Sequence, residues 1–150
     1  MTFGPDKAEC SDCEFNTRCN GPTALHARGH RPKNWQPGGL MMVLETPSAR
    51  EVALKAPTGA DIDFLRSVCA SVGVDFDSVW VTYAVLAQPV GLAKGAKNGG
   101  VLKQFPGAVP GCLPRLEAEI AAARPRVVMP LGNVAMAALV GEETRKMRRV

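Results

Sequence analysis

Three short, mostly apolar runs are the feature of this sequence that most constrains its fold. They comprise residues 40–45 (LMMVLE), 79–87 (VWVTYAVLA) and 126–132 (RVVMPLG). Apolar residues follow one another in each run instead of alternating with polar residues, as in strands that are buried on both faces of a sheet. The runs therefore predict three strands of a parallel sheet.

Helical patterns separate these runs. Apolar side chains recur at spacings of three and four in residues 60–73 and again in residues 112–124, and a short Ala-rich helix is expected at 133–140. The side chains expected to be buried in the first of these helices are Ile62, Leu65, Val68, Cys69 and Val72. Strands that alternate with helices indicate right-handed crossovers. We predict an α/β fold, a small doubly wound three-layer sandwich with a short parallel sheet of about three strands.

The length of 150 residues provides for a single domain with one continuous core. Residues 1–39 are rich in Cys, Pro, Gly and Arg and show neither helical nor strand periodicity, so they predict a loop-rich metal knuckle and its connection. Residues 40–150 are expected to form the α/β core. No apolar run approaches the roughly 18–20 residues of a membrane span, and no signal peptide is recognised, so we expect a cytoplasmic protein without a membrane partner.

Ligands of parallel α/β sheets bind beyond the carboxyl ends of the strands. The residues that follow the first predicted strand are Thr46, Pro47 and Ser48, and Asn133 follows the third. These four residues are the candidates for substrate binding.

The cysteines predict a metal site. Their number, five, is odd, which argues against a disulfide framework. Cys10 and Cys13 form a C-x-x-C pair, a spacing used by both zinc and iron–sulfur sites. The predicted ligands are Cys10, Cys13, Cys19 and Cys112, and zinc with His26 or His30 in place of one cysteine is the competing set. Cys69 lies on the apolar face of its helix and is expected in the core.

The net charge is +4, and its distribution is informative. Basic residues collect in residues 18–33, 94–103 and 145–149, where they form either a solvated surface or a side that faces a polyanion. In the second case Lys and Arg gain from counterion release on binding phosphates. The candidate DNA-binding residues are Lys94, Lys97, Lys103, Arg145, Lys146, Arg148 and Arg149.

Four stretches together resemble the iron–sulfur uracil-DNA glycosylases of families 4 and 5. They are CSDCEF, MMVLETPS, VWVTYAVLAQP and GCLPRLEAEIAAARPRVVMPLGNVAMAALVG, the last being the closest. The resemblance is ordered along nearly the whole chain, up to residue 141. It implies a base-flipping DNA repair fold with a four-iron, four-sulfur cluster, which cleaves the N-glycosidic bond of uridine.

The resemblance also implies roles for individual residues. Glu45 takes the place of the acid that orients the attacking water, and Tyr83 that of the uracil-reading Asn, although a phenol lacks the paired donor and acceptor of an amide. The third cluster cysteine corresponds to Ala87, so the cluster depends on Cys19 or Cys69 as its replacement. Thr58 stands near the expected position of the base-stacking aromatic residue. The closing strand and His-Pro-Ser loop of the family have no counterpart here.

Three hypotheses follow. The first is a shortened, degenerate member that is catalytically weak or inactive and acts as a DNA-binding, replication or repair accessory. The second is an active uracil-DNA glycosylase in which Glu45 activates water. The third is a metal-stapled interaction module that docks a protein partner at the sheet edge where the missing terminal strand would pair.

Overall fold

The computed structural model describes residues 11–16, 19, 26–89 and 100–141. The elements in chain order are β1 (Leu40–Leu44), α1 (Ala49–Leu54), α2 (Ala60–Ser71), a 3₁₀ helix (Phe76–Ser78), β2 (Trp80–Tyr83), α3 (Gly100–Gln104), α4 (Ala108–Ala123), β3 (Val127–Pro130) and α5 (Asn133–Val140). The predicted α/β fold with a parallel sheet of three strands is confirmed.

Strand β1 lies at the centre of the sheet and runs parallel to both neighbours, in the order β2-β1-β3. Met41 is level with Trp80 of β2 and with Val128 of β3. On the far side of β2, His30 and Val81 exchange backbone hydrogen bonds of 2.6 and 3.1 Å in an antiparallel bridge. The connection before β1 therefore covers the outer edge of β2.

Alternate residues of β1 enter two different cores, which explains its continuous apolar sequence. Met41 and Val43 belong to a core that contains buried residues of α4 and α5. Met42 faces the other side, where Ile62 and Cys69 of α2 pack against it. Helices thus cover both faces of the sheet, as the doubly wound prediction requires.

A fully buried ion pair joins α4 to β2. The Arg115 guanidinium lies 2.9 Å from the Glu119 carboxylate, and neither side chain is exposed to solvent. Arg115 also donates to the backbone carbonyls of Tyr83 (2.6 Å) and Ala84 (3.2 Å), at the end of β2. The pair therefore supplies donors to carbonyl groups that lie just where the parallel ladder stops.

The Glu119 carboxylate is satisfied by side chains of β2 as well. Trp80 donates its indole N–H at 2.6 Å, and Thr82 its hydroxyl at 2.9 Å. Gly29 packs so closely on this carboxylate that a Cβ there would overlap its oxygens. Within the described part of the chain, the single group of this network without a partner is Arg115 Nε. Dense hydrogen bonding of this kind is what makes a buried charge pair tolerable.

Several boundaries differ from the prediction. Strand β2 ends at Tyr83 rather than at residue 87, because the chain turns there and Ala87 pairs antiparallel with His26. Helix α4 begins at Ala108 rather than at Cys112. Pro110 lies in its first turn, where a missing N–H costs nothing, so the proline does not mark a boundary. The short helices α1 and α3 were not expected, since six and five residues show too little apolar periodicity.

The predicted apolar face of α2 is wider than the buried one. Ile62 and Cys69 are buried, but Val68 and Val72 are 43% and 70% exposed. A sheet of three strands is narrow, so the helix contacts it along one stripe and its flank is left in solvent.

Loss of one partner of the buried pair should destabilise the fold strongly. We expect Arg115→Met to lower the free energy of unfolding by about 3–5 kcal/mol, because an uncompensated carboxylate stays buried. Adding Glu119→Gln should recover part of this loss, since the neutral amide still accepts from Trp80. Urea unfolding of both variants measures the coupling. Arg124→Met, at an exposed arginine, is the control and should lower the free energy of unfolding by less than about 0.5 kcal/mol. Equal losses of stability in Arg115→Met and Arg124→Met would contradict the prediction.

Candidate functional site at the carboxyl edge of the sheet

A cleft of about 940 Å³, here called the first cleft, opens at the carboxyl ends of the strands. This is the edge at which parallel sheets bind ligands. Its walls come from the residues after β1 and β3, from the starts of α1 and α5, and from the loop before α2 and the first turns of α2. The lining residues used below are Glu45, Thr46, Ser48, Glu51, Asp61, Phe64 and Asn133.

Glu45 lines the first cleft and also holds the start of α5. Its Oε1 accepts a hydrogen bond of 3.0 Å from the backbone N–H of Val134. Gly132 has a φ of +99°, and a Cβ at this position would overlap the Glu45 carboxylate. A carboxylate at a helix N-terminus satisfies an amide that has no partner within the helix, and it is favoured by the helix dipole. Glu45 therefore ties the end of β1 to the start of α5.

Glu51 organises the opposite wall. Ser48 and Glu51 form a capping box at the start of α1, in which Ser48 N donates to Glu51 Oε2 at 2.8 Å and Ser48 Oγ accepts from Glu51 N at 3.2 Å. Glu51 Oε1 accepts from the Tyr83 hydroxyl at 2.9 Å and from Thr58 N at 3.4 Å. One buried carboxylate thus joins α1, β2 and the loop before α2. The signal in the sequence was the Ser-x-x-Glu spacing.

Tyr83 does not line the first cleft, unlike the expectation for a substrate-binding residue. Its side chain is 1% exposed and points at Glu51 instead. Burial, followed by the charge of Glu51 and the hydrogen bond to it, raises the pKa of Tyr83 far above its ordinary value. The phenol is therefore neutral and acts as a donor to the carboxylate.

The other predicted substrate-binding residues are divided. Thr46, Ser48 and Asn133 line the first cleft together with Glu45, whereas Pro47 is buried and is not part of its wall. Phe64 was not predicted, although its ring is 68% exposed on the wall of the cleft. Its exposure was predictable from the sequence, because Phe64 lies two positions after Ile62 on α2 and therefore does not share the buried face of the helix.

The first cleft is acidic. Glu45, Glu51 and Asp61 line it, while among the described residues no Lys, Arg or His does. Such walls disfavour a phosphate and suit a neutral polar group with donors to offer, such as the edge of a nucleobase.

The predicted metal ligands that the structure describes lie in one core. Cys13, Cys19 and Cys112 are all buried and belong to the core that α4 and α5 share. Phe15 N donates to Cys13 Sγ at 3.4 Å, the kind of contact that stabilises a thiolate. Cys112 was expected to begin its helix. It lies instead in the second turn of α4, where its side chain still belongs to this core.

The N-terminal segment packs on the start of α4. The rings of Phe15 and Phe105 lie 4.5 Å apart, and Glu14 accepts a hydrogen bond of 3.2 Å from Gly107 N. A Cβ at Gly107 would overlap the carbonyl of Asp12. The cysteine-containing segment therefore approaches α4 closely.

The described residues do not complete a metal site by themselves. No group of three or more His, Cys, Asp or Glu side chains positioned to hold an ion occurs among them. Cys10 lies outside the described residues. Cys69 is buried in the core on the other face of the sheet, which separates it from Cys13, Cys19 and Cys112. His26 and Ala87 are buried opposite one another in an antiparallel bridge, whereas His30 is exposed.

Most of the predicted DNA-binding residues lie outside the described part of the chain. They are Lys94, Lys97, Arg145, Lys146, Arg148 and Arg149. Lys103 is described and is exposed in the last turn of α3.

The helices of the described residues include none with the length and apolar character needed to cross a membrane.

Comparison of the sequence with models of known protein families and with curated proteins finds no significant match.

The buried phenol makes a prediction for alkaline pH. The chain contains one tyrosine, so the ultraviolet absorbance of tyrosinate reports on Tyr83 alone. Since the folded state holds its proton and the unfolded state loses it above about pH 10, stability should fall as the pH rises beyond that value. Tyrosinate should appear only together with unfolding, as followed by circular dichroism. Tyr83→Phe should remove this contribution to the pH dependence; a tyrosinate signal near pH 10 in protein that is still folded would contradict it.

Proposed function

We propose that this chain is a cytoplasmic, DNA-associated protein with a uracil-DNA glycosylase-like fold, which holds a nucleobase in the first cleft without excising it efficiently. The observation that carries the proposal is that the side chains at the expected catalytic position, Glu45, and at the expected uracil-reading position, Tyr83, are both engaged within the protein. Tyr83 is buried on Glu51, and Glu45 accepts from the Val134 amide. Both groups stabilise the walls of the cleft.

Reading of uracil requires a donor and an acceptor side by side, because the base presents both on its edge. At the end of β2, where the resemblance implies an amide, the buried Tyr83 offers neither to the cleft. Asn133, at the start of α5, is an amide side chain on the cleft wall. The cleft is therefore equipped to contact a base but lacks the reading group at the position implied by the resemblance.

Phe64 supports binding of a base. Its exposed ring stands on the wall beside polar groups of the first cleft. Stacking of a base on an aromatic side chain contributes about 1–3 kcal/mol and tolerates different bases. Stacking on Phe64 would therefore hold a base in the first cleft with little discrimination between bases.

The proposal includes a structural metal site that links the N-terminal segment to α4. Cys10, Cys13, Cys19 and Cys112 would hold a four-iron, four-sulfur cluster, with zinc as the alternative metal. The shared core of Cys13, Cys19 and Cys112 and the N–H contact to Cys13 Sγ support this set. The group would attach the N-terminal segment to α4, in a region with few apolar residues of its own, where metal binding contributes most to folding. Its role is structural.

The metal is tested on protein purified without oxygen. We expect broad visible absorption from an iron–sulfur cluster, and its loss in Cys10→Ser and in Cys13→Ser. Cys69→Ala is the matched control and should retain the spectrum, because Cys69 lies in the core on the other face of the sheet. Colourless protein with one equivalent of zinc would identify the metal as zinc rather than an iron–sulfur cluster. Protein without any metal would contradict the proposed metal site.

The alternative function is an active uracil-DNA glycosylase. Glu45 favours it, since a carboxylate that lines the first cleft is able to orient a water molecule. The engagement of its Oε1 with Val134 leaves Oε2 for such a role.

One assay separates the two functions. We expect the full chain to bind a uracil-containing oligonucleotide, with an affinity that falls as salt rises, and to release no uracil. Release of uracil that is abolished in Glu45→Gln would establish the alternative, since Gln still accepts from Val134 and preserves the wall.

If the chain binds no DNA, the third hypothesis remains, in which the protein is an interaction module for a protein partner. That function is favoured by β3, whose Val127 and Met129 are 50% and 40% exposed. Leu131 N donates to Val43 O of β1, so the position before it, Pro130, faces the open edge without an N–H. A protein partner would therefore cover the apolar face of β3 rather than extend the sheet.

A further inference from the structure

A second cleft, of about 400 Å³, lies at the β2 side of the sheet. Its charged and polar lining consists of His30, Arg31, Lys33, Asn34, Arg66 and Asp77. Three of these side chains are permanent cations, and one is a carboxylate. The first cleft has the opposite character, since acidic side chains line it. The two clefts therefore suit different chemical groups.

The backbone that carries two of the cations is held by the sheet. His30 exchanges two hydrogen bonds with Val81 at the outer edge of β2, and Pro32 is buried. Arg31 and Lys33 flank this proline and are exposed. The Arg31 guanidinium stands 6.0 Å from the centre of the Trp80 ring, a cation–π distance. The two side chains thus extend from a fixed strip of chain.

Arg66 reaches the second cleft from α2. Its guanidinium lies 4.9 Å from the centre of the Phe76 ring and 2.7 Å from the Asp77 carboxylate. Both partners of this ion pair are more than half exposed, so the pair itself contributes little to stability. What the contacts do is hold the guanidinium at the mouth of the cleft, where an anion could replace or join Asp77.

The loop between α1 and α2 forms a wall common to both clefts. Ala56 and Pro57 line the second cleft, and Thr58 and Gly59 line the first. A base in the first cleft therefore has a cationic surface next to it across a loop of a few residues. A nucleic acid strand presents the same succession, a base and then the phosphate that joins it to its neighbour.

We propose that the second cleft is a phosphate-binding site, formed by Arg31, Lys33 and Arg66. Resting on the proposed function, it takes a backbone phosphate of the strand whose base lies in the first cleft. A free phosphate shares this chemistry, and the experiment below distinguishes the two sources. Arginine forks and a lysine ammonium are the side chains that proteins use for phosphate.

The test measures binding of a fluorescent single-stranded oligonucleotide over a range of salt concentrations. Each phosphate contact to a single strand contributes about 0.7 to the slope of log affinity against log salt. Because the site takes one phosphate, Arg31→Gln/Lys33→Gln should lower the slope by about 0.7 and weaken binding roughly fivefold at about 0.1 M salt. The matched control is Arg124→Gln/Arg126→Gln, which removes the same charge at exposed positions between α4 and β3. It should leave the slope unchanged and the affinity within about twofold.

A second variant should strengthen binding. Asp77→Asn removes the competing carboxylate and releases Arg66 for the same phosphate, which should raise the affinity severalfold at about 0.1 M salt. A gain of affinity does not arise from a failure to fold. Equal losses in the Arg31/Lys33 and Arg124/Arg126 variants, or no gain in Asp77→Asn, would overturn the site.

Inorganic phosphate separates the site from the proposed function. It should shift the backbone amide signals of His30, Arg31, Lys33 and Asn34 in nuclear magnetic resonance spectra of the wild-type chain, and should not shift the signals of these positions in the Arg31/Lys33 variant. If the oligonucleotide does not bind but phosphate causes these shifts, the proposed function fails and the phosphate site stands. If the oligonucleotide binds equally to wild type and to the Arg31/Lys33 variant, the site fails and the proposed function stands. Neither probe binding would overturn both.

Discussion

The buried pair of Arg115 and Glu119 is the interaction on which the rest of this structure depends. It joins the long helix α4 to the side chains of β2, and it supplies donors to the carbonyls of Tyr83 and Ala84 where the parallel ladder ends. A strand of only four residues makes few ladder bonds, so its end needs partners from elsewhere. The same carboxylate brings Gly29 into close contact. The path of the connection before β1 and the end of β2 are therefore set by one charged pair.

A second carboxylate plays the corresponding role on the other face of the sheet. Glu51 holds Ser48, Thr58 and Tyr83 together, and these lie at the boundary of the first cleft. Glu45 joins β1 to α5 in the same manner. Glu45 and Tyr83, to which the resemblance to glycosylases assigns water activation and base reading, are thus engaged in holding the walls of the cleft. That coincidence is the physical reason for proposing a binding protein rather than an efficient enzyme.

The two clefts are lined mainly by side chains of opposite charge. Acidic side chains line the first, and Arg31, Lys33 and Arg66 line the second, with one short loop between them. Charge separated over so short a distance discriminates between the neutral and the anionic parts of one ligand more sharply than net charge does. The modest net charge of +4 conceals this arrangement.

The sequence by itself determined the three strands, their parallel direction and the two-sided core, because continuous apolar runs such as LMMVLE are typical of strands buried on both faces of a parallel sheet. It also placed Glu45, Thr46, Ser48 and Asn133 at the carboxyl edge of the sheet, since strand ends follow from the runs. Only the tertiary structure decided that Tyr83 is buried on Glu51, that Arg115 and Glu119 are core residues, and that Arg31 and Arg66 share a cleft. Tyr83 meets Glu51, and Arg115 and Glu119 meet side chains and carbonyls of β2, across separations of about 30 or more positions along the chain. Burial of a polar side chain depends on the partners that the fold brings to it, and spacing along the chain contains no information about those partners.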